Sequence, residues 1–213
     1  MESRPDDYVP AAGRDWLLPL YDPVCHFVLR ERRFKERLVE QIAPPDRGRV
    51  LDLGCGTATL TLMLQQRYPN AEIRGVDGDP KVLEVARRKV AAAGVRLELD
   101  RGLAYDLAYN DACFDRVVSS LVFHHLTPEH KRAAFREVKR ILKPGGSLHV
   151  VDFGPPRSGI ARFAARIFIR DQSLRDNFEG RLPEMMRGAG FAEVEECGRH
   201  VFFGGGLSFY CAR

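Results

Sequence analysis

At 213 residues, with 45% hydrophobic and 29% charged side chains, the chain has the size and composition of one globular domain able to bury a three-layer α/β core. A net charge of +4 is too mild to argue for nucleic-acid binding, no apolar run reaches the roughly 20 residues of a membrane span, and residues 1–7 carry acids instead of a signal peptide's apolar segment. Cys25, Cys55, Cys113, Cys197 and Cys211 form no CxxC pair, so they read as reduced thiols of a cytoplasmic protein with no metal site.

Residues 1–22 read as irregular, broken by Pro5, Pro10, Gly13 and Pro19, although Trp16, Leu17, Leu18, Leu20 and Tyr21 are apolar enough to dock. A helix is predicted from Pro23, striped by Val24, Phe27, Val28, Phe34, Leu38 and Ile42, basic on its other face through Arg30, Arg33 and Arg37, and ended by Pro44-Pro45. Strand and helix then alternate. Strand 49–53 runs through a Gly54-Cys55-Gly56 turn into helix 58–68, with Leu60, Met63 and Leu64 at helical spacing. Strand 71–77 ends at Asp77. Asp79 then caps a helix that has Pro80 at its first position and Gly94 past its end. Strand 95–99, an irregular 100–113 and strand 114–119 follow. Thr127-Pro128 opens the next helix, and a turn over 143–146 leads into strand 147–153.

After Asp152 the alternation breaks. Residues 154–182 read as an insertion containing one helix, with Arg162, Arg166 and Arg170 along one row. A short helix over 183–190, a strand over 191–197, a glycine turn and a final strand over 207–212 close the chain. The pattern predicts a parallel sheet with helices on both faces.

In such a sheet the strand ends gather at one crevice. There lie Gly54 and Gly56, which let main chain approach a ligand; the uncommitted amides of the helix start, which suit an anion; and Asp77, placed to accept both hydroxyls of a ribose. Gly102-Leu103-Ala104 and Ser119-Ser120 end the neighbouring strands. These residues suit an adenosine carrying something smaller than a pyrophosphate.

The run Val50-Leu51-Asp52-Leu53-Gly54-Cys55-Gly56-Thr57 resembles motif I of the class I S-adenosylmethionine-dependent methyltransferases. Gly75-Val76-Asp77-Gly78-Asp79-Pro80 is similar to the family's acidic second motif, and Asp111-Ala112-Cys113-Phe114-Asp115-Arg116-Val117-Val118 to its strand-four signature. His124-His125-Leu126 and Arg140-Ile141-Leu142-Lys143-Pro144-Gly145-Gly146 complete a match over residues 48–153, most similar to the type-11 and ubiquinone/menaquinone-biosynthesis branch. The resemblance implies a Rossmann-like α/β three-layer sandwich whose seven-stranded, mostly parallel sheet has its last strand antiparallel. It implies S-adenosyl-L-methionine as cofactor. Gly54, Cys55 and Gly56, with Asp52 behind them, would hold its methionine part, and Asp77 its ribose. Gly78 and Gly102 would border the adenine, and the Ser119 carbonyl would meet the amino group. Tyr21 resembles a tyrosine that closes over the cofactor. Leu103 stands where many members have an acid facing the adenine amine, so Asp100, Asp106 or main chain alone would replace it.

Alternatives stand beside these readings. A dinucleotide loop is disfavoured because Thr59 occupies the third glycine position. His124 and His125 are the nearest candidate bases, yet packing or main-chain bonding is the favoured reading for them. Cys55 reads as merely small. A base methyltransferase is disfavoured because Ser119-Ser120-Leu121 replaces the Asn/Asp-Pro-Pro-aromatic run.

The sequence thus predicts one domain methylating a small-molecule acceptor by in-line displacement. Its cofactor core is 49–153, covered by residues 1–48 and 154–182, with 183–213 completing the sheet. Two other functions stay open. One is methylation of a lipid or quinone at an anionic membrane surface, through a peripheral contact. The other is a non-catalytic S-adenosylmethionine-binding protein. No nucleic-acid partner is expected.

Overall fold

The computed structural model describes residues 31–156, 159, 172–202 and 205–213. Tyr21, the apolar cluster around Trp16 and the Arg162/Arg166/Arg170 helix lie outside the described residues. The part of the first predicted helix within them is α1 (Glu31–Ile42).

The described elements continue as β1 (Arg49–Leu53), α2 (Thr59–Arg67), β2 (Glu72–Asp77), α3 (Pro80–Ala92), β3 (Glu98–Arg101) and β4 (Phe114–Ser120). A 3-10 turn at Phe123–His125 precedes α4 (Pro128–Ile141), β5 (Leu142–Phe153), α5 (Gln172–Phe178), α6 (Leu182–Gly188), β6 (Val194–Phe202) and β7 (Gly205–Ala212). The strands form one seven-stranded sheet in the order β3-β2-β1-β4-β5-β7-β6. The β1–β2, β1–β4, β2–β3 and β4–β5 pairings are parallel, whereas β7 runs antiparallel to both neighbours. The expected fold class is therefore the observed one.

Successive side chains of a strand point to opposite faces, and here both faces are covered. Leu51, Leu53, Val117, Leu148 and Val150 pack under Phe135, Val138 and Ile141 of α4 on one side. Val50, Ile73, Val118, Val151 and Phe209 pack under Phe34, Leu38 and Ile42 of α1 and Leu60 and Leu64 of α2 on the other. Burial on both faces is why apolar residues follow one another in these strands, as at Val50-Leu51, Val117-Val118 and Val150-Val151.

The final strand starts at Gly205, inside the expected glycine turn, and three other boundaries differ from expectation. The third strand is Glu98–Arg101, not 95–99, so it takes in residues expected to be irregular; its register pairs Arg74 with Glu98 and Asp77 with Arg101. The glycine turn at 143–146 lies inside β5, as the register jump from Phe114↔Leu142 to Arg116↔Ser147 records. The sixth strand starts at Val194 and runs to Phe202, with an irregularity between Glu196 and Gly198.

Several motif residues serve as struts. Asp115 Oδ2 accepts from the Arg49 amide at 2.8 Å and from Lys143 Nζ at 2.7 Å. The Arg140 guanidinium donates to the carbonyls of Tyr109 (2.7 Å) and Leu107 (2.9 Å) and to Asp111 (2.7 Å). These bonds pin the loop that follows Gly102.

Candidate functional site

β1 delivers its last residue, Leu53, into a loop that alternates left-handed residues: Gly54 (φ 71), Gly56 (φ 55) and Ala58 (φ 62). The amides of Gly54 and Cys55 both donate to the Val76 carbonyl of β2, at 2.8 and 3.0 Å. Gly54 and Gly56 have different reasons to be glycine. A Cβ on Gly54 would lie 2.2 Å from Cγ2 of Val122, whereas a Cβ on Gly56 would meet nothing within 4 Å. Gly54 is a packing contact with the turn after β4. Gly56 presents bare main chain to open space.

The start of α2 is uncapped. Its N-cap residue is Ala58, with no side-chain bond to the first turn. By contrast Asp79 caps α3, accepting from the Lys81 and Val82 amides, and Thr127 caps α4. An uncapped first turn leaves amide donors for an outside group, and the helix dipole favours a negative one.

Asp77 closes the other side. Its Oδ2 accepts from the Gly56 amide and its Oδ1 from the Asp79 amide, each at 2.9 Å. Burial raises its pKa above the usual carboxylate range, against the lowering effect of those amides. The Gly78 amide also bonds this carboxylate; a carboxylate has about four acceptor sites, so capacity remains for a hydroxyl. Since Asp79 does the capping, Asp77 is left to hold the loop and face the crevice.

Asp52 sits behind the loop, 1% exposed, with Oδ2 accepting from Thr61 Oγ1 at 2.7 Å. Burial pushes its pKa up to about 6, the Thr61 bond notwithstanding, and the nearby Asp77 charge adds to the rise. It supports the cradle from below. Cys55 is 7% exposed and burial raises its thiol pKa, so it is a small inert filler.

Along the crevice, the Gly102 amide donates to the Asp77 carbonyl at 3.1 Å. This places Gly102 beside Asp77 and Gly78, as expected. Leu103 is half-buried and bridges to Asp106. Of the two acids that might replace one at Leu103, Asp100 accepts from the Tyr109 hydroxyl at 2.8 Å and Asp106 is exposed. Ser119 is fully buried opposite Leu53, its Oγ donating to the Leu53 carbonyl at 2.9 Å. Ser120 Oγ next to it is buried with no partner among the described residues.

The two candidate histidines differ. His124 Nδ1 lies 2.8 Å from Asp152 Oδ1, and the His124 amide donates to Asp152 Oδ2 at 3.3 Å. Asp152 is fully buried at the end of β5. Burial would raise its pKa, but the His124 partner and the Phe153 amide hold it below the usual carboxylate range. The His125 ring lies tilted by 40° against the His124 ring, their centroids 3.9 Å apart, while Phe153 meets His124 edge-on at 4.8 Å. Above them α5 packs against this turn and against β5. Its Asn177 donates to the Phe153 carbonyl at 3.3 Å, and Asn177 Oδ1 is buried without a partner among the described residues.

Sequence reasoning missed Asp152 and Asn177. The first had a signal: an acid directly after Val150-Val151, at the carboxyl end of a parallel strand. The second had none. Among the described residues no group of three or more His, Cys, Asp or Glu could hold a metal ion, and no helix is long and apolar enough to cross a membrane.

Comparison with known proteins places this geometry. The family described as a methyltransferase domain matches residues 50–146. The chain is 36% identical over 138 residues to the demethylmenaquinone methyltransferase of Thermus thermophilus, covering 65% of this chain and 62% of that protein, so the match spans less than two thirds of that relative. It is 31% identical over 186 residues to an uncharacterised methyltransferase of Synechocystis, covering 86% of this chain and 84% of the other. In fold it is similar to phosphoethanolamine N-methyltransferase 2 of Haemonchus contortus in complex with phosphomonomethylethanolamine and S-adenosylhomocysteine. The TM-score is 0.75 at 15% identity, over 95% of this chain and 58% of that one.

Proposed function

The chain belongs to the class I S-adenosylmethionine-dependent methyltransferases, on the ubiquinone/menaquinone-biosynthesis-like branch, and from that premise we propose that it methylates a small quinone-type acceptor in its reduced, hydroxylated form. The observation that carries the reading is the cradle: bare Gly56 main chain facing open space, flanked by an uncapped helix start and by Asp77 with acceptor capacity to spare.

In this reading Gly54, Cys55 and Gly56 carry the methionine part of S-adenosylmethionine, with Asp52 bracing the loop. Asp77 takes the ribose hydroxyls, and Gly78, Gly102 and Leu103 line the adenine. With Asp100 engaged by Tyr109, main chain near Leu103 holds the adenine amine. The Ser119 carbonyl receives the amino group. The bound cofactor supplies a methyl already activated by a positive sulfur. The chain therefore has three tasks: to align the acceptor atom in line with that methyl, to exclude water and to receive a proton where one is lost. Alignment alone can supply roughly 7–11 kcal/mol of the barrier.

A reduced acceptor follows from chemistry. A methyl cation equivalent needs an electron-rich partner, and a hydroxylated ring provides one where a quinone does not. The name of the Thermus relative supports this acceptor class. We assign the cover over it to residues 1–30 and 154–182, since α1 from Glu31 is instead a layer of the core on the face of the sheet; the packing of α5 on the His124 turn supports this.

The test pairs calorimetry with product analysis. S-adenosylhomocysteine should bind one per chain, and naphthohydroquinone should gain one methyl by mass spectrometry. Absence of heat with S-adenosylhomocysteine overturns the cofactor assignment; binding without methylation of the hydroquinone overturns the acceptor class.

A further inference from the structure

We propose that His124 and Asp152 are a proton-accepting pair, and that the acceptor is a ring hydroxyl compound that surrenders a proton as it is methylated. This rests on the cofactor and acceptor reading above and adds residues and a direction of proton flow to it.

The placement comes first. Gly54 packs directly on Val122, two residues before His124. The β4–β5 register pairs Ser119 with Val150 and Ser120 with Val151, and the Leu121 amide donates to the Val151 carbonyl. Asp152 is thus the next residue along β5, level with the turn that carries His124. Both lie at the same strand ends as Gly56 and Asp77.

The chemistry follows from the bonding. Asp152 accepts from the His124 amide, the Phe153 amide (2.7 Å) and the His124 ring. An ionised carboxylate only accepts, so it fixes the neutral ring with its hydrogen on Nδ1 and leaves a lone pair on Nε2, which has no hydrogen-bond partner among the described residues. The ring cannot turn freely between Phe153 and His125. A base so oriented, with an anion behind it to stabilise the imidazolium, accepts a proton without moving.

The step balances. The hydroxyl proton of the acceptor passes to Nε2, and the electron pair it leaves is delocalised into the ring. That pair forms the bond to the methyl carbon, whose old bond leaves its electrons on sulfur. The methylated carbon then loses its hydrogen as a proton, the electrons of that bond restore the aromatic ring, and an equal proton returns to the ring oxygen to restore the hydroxyl. One proton leaves through His124 per methyl transferred.

The titratable groups near His124 are Asp152 on β5, His125 in the same turn and, beyond Asp152, Tyr210 on β7. On α5, Asp176 turns to Lys131 and Arg181, and Arg175 pairs with Glu179.

Two measurements test the pair. Long-range nitrogen–proton NMR on the chain saturated with S-adenosylhomocysteine, assigned by loss of the signal in His124→Gln, should show the hydrogen on Nδ1. In Asp152→Asn the amide can donate to Nδ1 and the hydrogen should move to Nε2. With naphthohydroquinone as acceptor, kcat should fall about 100-fold in each variant, while S-adenosylhomocysteine affinity stays within about threefold. A hydrogen on Nε2 in the parent chain, or a His124→Gln rate within about threefold of the parent, overturns the pair while leaving the cofactor reading intact. Binding of S-adenosylhomocysteine without turnover of the hydroquinone overturns the acceptor reading, and the pair with it.

Discussion

The main chain of Gly54 and the side chain of Val122 are packed so closely that the Cβ Gly54 lacks would sit 2.2 Å from Cγ2 of Val122. Val is stiff at χ1 and cannot swing aside cheaply, and Gly54 has φ 71. Gly54→Ala should therefore cost about 2–4 kcal/mol from clash and backbone strain together. Adding Val122→Ala should return the clash portion only. Gly56→Ala has room and meets strain alone, roughly 1–2 kcal/mol, but its methyl would enter the cofactor space. Urea unfolding and calorimetry separate the cases: stability falls most in Gly54→Ala, and cofactor affinity relative to stability falls most in Gly56→Ala. Equal behaviour of the two variants would contradict the split.

Asp77 braces the loop with the carboxylate proposed to take the ribose. In Asp77→Asn one carboxylate oxygen becomes an NH2 that must face either the Gly56 or the Asp79 amide, donor against donor. Affinity for S-adenosylhomocysteine should drop about 10- to 100-fold, the scale of charged hydrogen bonds lost. Because burial raises the Asp77 pKa, the parent chain should bind the ligand less well as pH falls through the mildly acidic range, protonation removing an acceptor. Asp77→Asn should lack that dependence. Calorimetry against pH checks both points.

The glycine loop and the acid that brace the proposed cradle are legible in sequence because they lie at the ends of neighbouring strands. Gly54, Gly56 and Asp77 sit on the ends of adjacent strands, and strands buried on two faces announce themselves as apolar runs. The edges of the sheet hide themselves. β3 is Glu98–Arg101, whose Glu98 pairs with Arg74 of β2 at 2.6 Å, and such charges protect an edge while making it look like a loop. β6 is polar from Glu195 to Arg199 and carries an irregularity at Glu196–Gly198, so its period is broken. The His124–Asp152 contact joins residues 28 apart. Only the β4–β5 register creates it, and no local pattern could.

His149 is a buried base held neutral. It lies between Gln41 Nε2, 3.1 Å from Nδ1, and Ser147 Oγ, 2.9 Å from Nε2, and burial drops its pKa from 6.5 to about 3. The unfolded chain takes up a proton below about pH 6.5 that the folded chain refuses, so stability present at neutral pH is lost as pH falls. Asp52 opposes this: its pKa is raised to about 6, so the folded chain binds the extra proton and gains stability on acidification. The parent should therefore show little net slope from these two groups between pH 6 and about pH 4.5. His149→Asn removes one side. Relative to that variant, the parent should lose about 2 kcal/mol between pH 7 and pH 5. Parallel stability curves in urea titrations at the two pH values would refute the account.

Lys131 on α4 is fully buried. Its Nζ donates to the Ser173 carbonyl and lies 3.4 Å from Asp176 Oδ2, both on α5, the helix that covers the His124 turn. Arg181 approaches the same carboxylate only at 3.8 Å and is half exposed. Lys131→Met keeps the aliphatic stem but strands a buried carboxylate, which should cost about 3–5 kcal/mol. Replacing both charges, in Lys131→Met/Asp176→Leu, should recover most of that loss, because the stranded charge and not the missing bond dominates. The two variants should part company in function. α5 carries Asn177 onto the Phe153 carbonyl beside His124, so a loosened α5 in Lys131→Met should raise the acceptor KM while S-adenosylhomocysteine affinity, set at Gly56 and Asp77, holds. In the double variant KM should return toward the parent value as the helix reseats. Equal loss of acceptor and cofactor affinity in Lys131→Met would show that α5 supports the whole crevice and not its acceptor end alone.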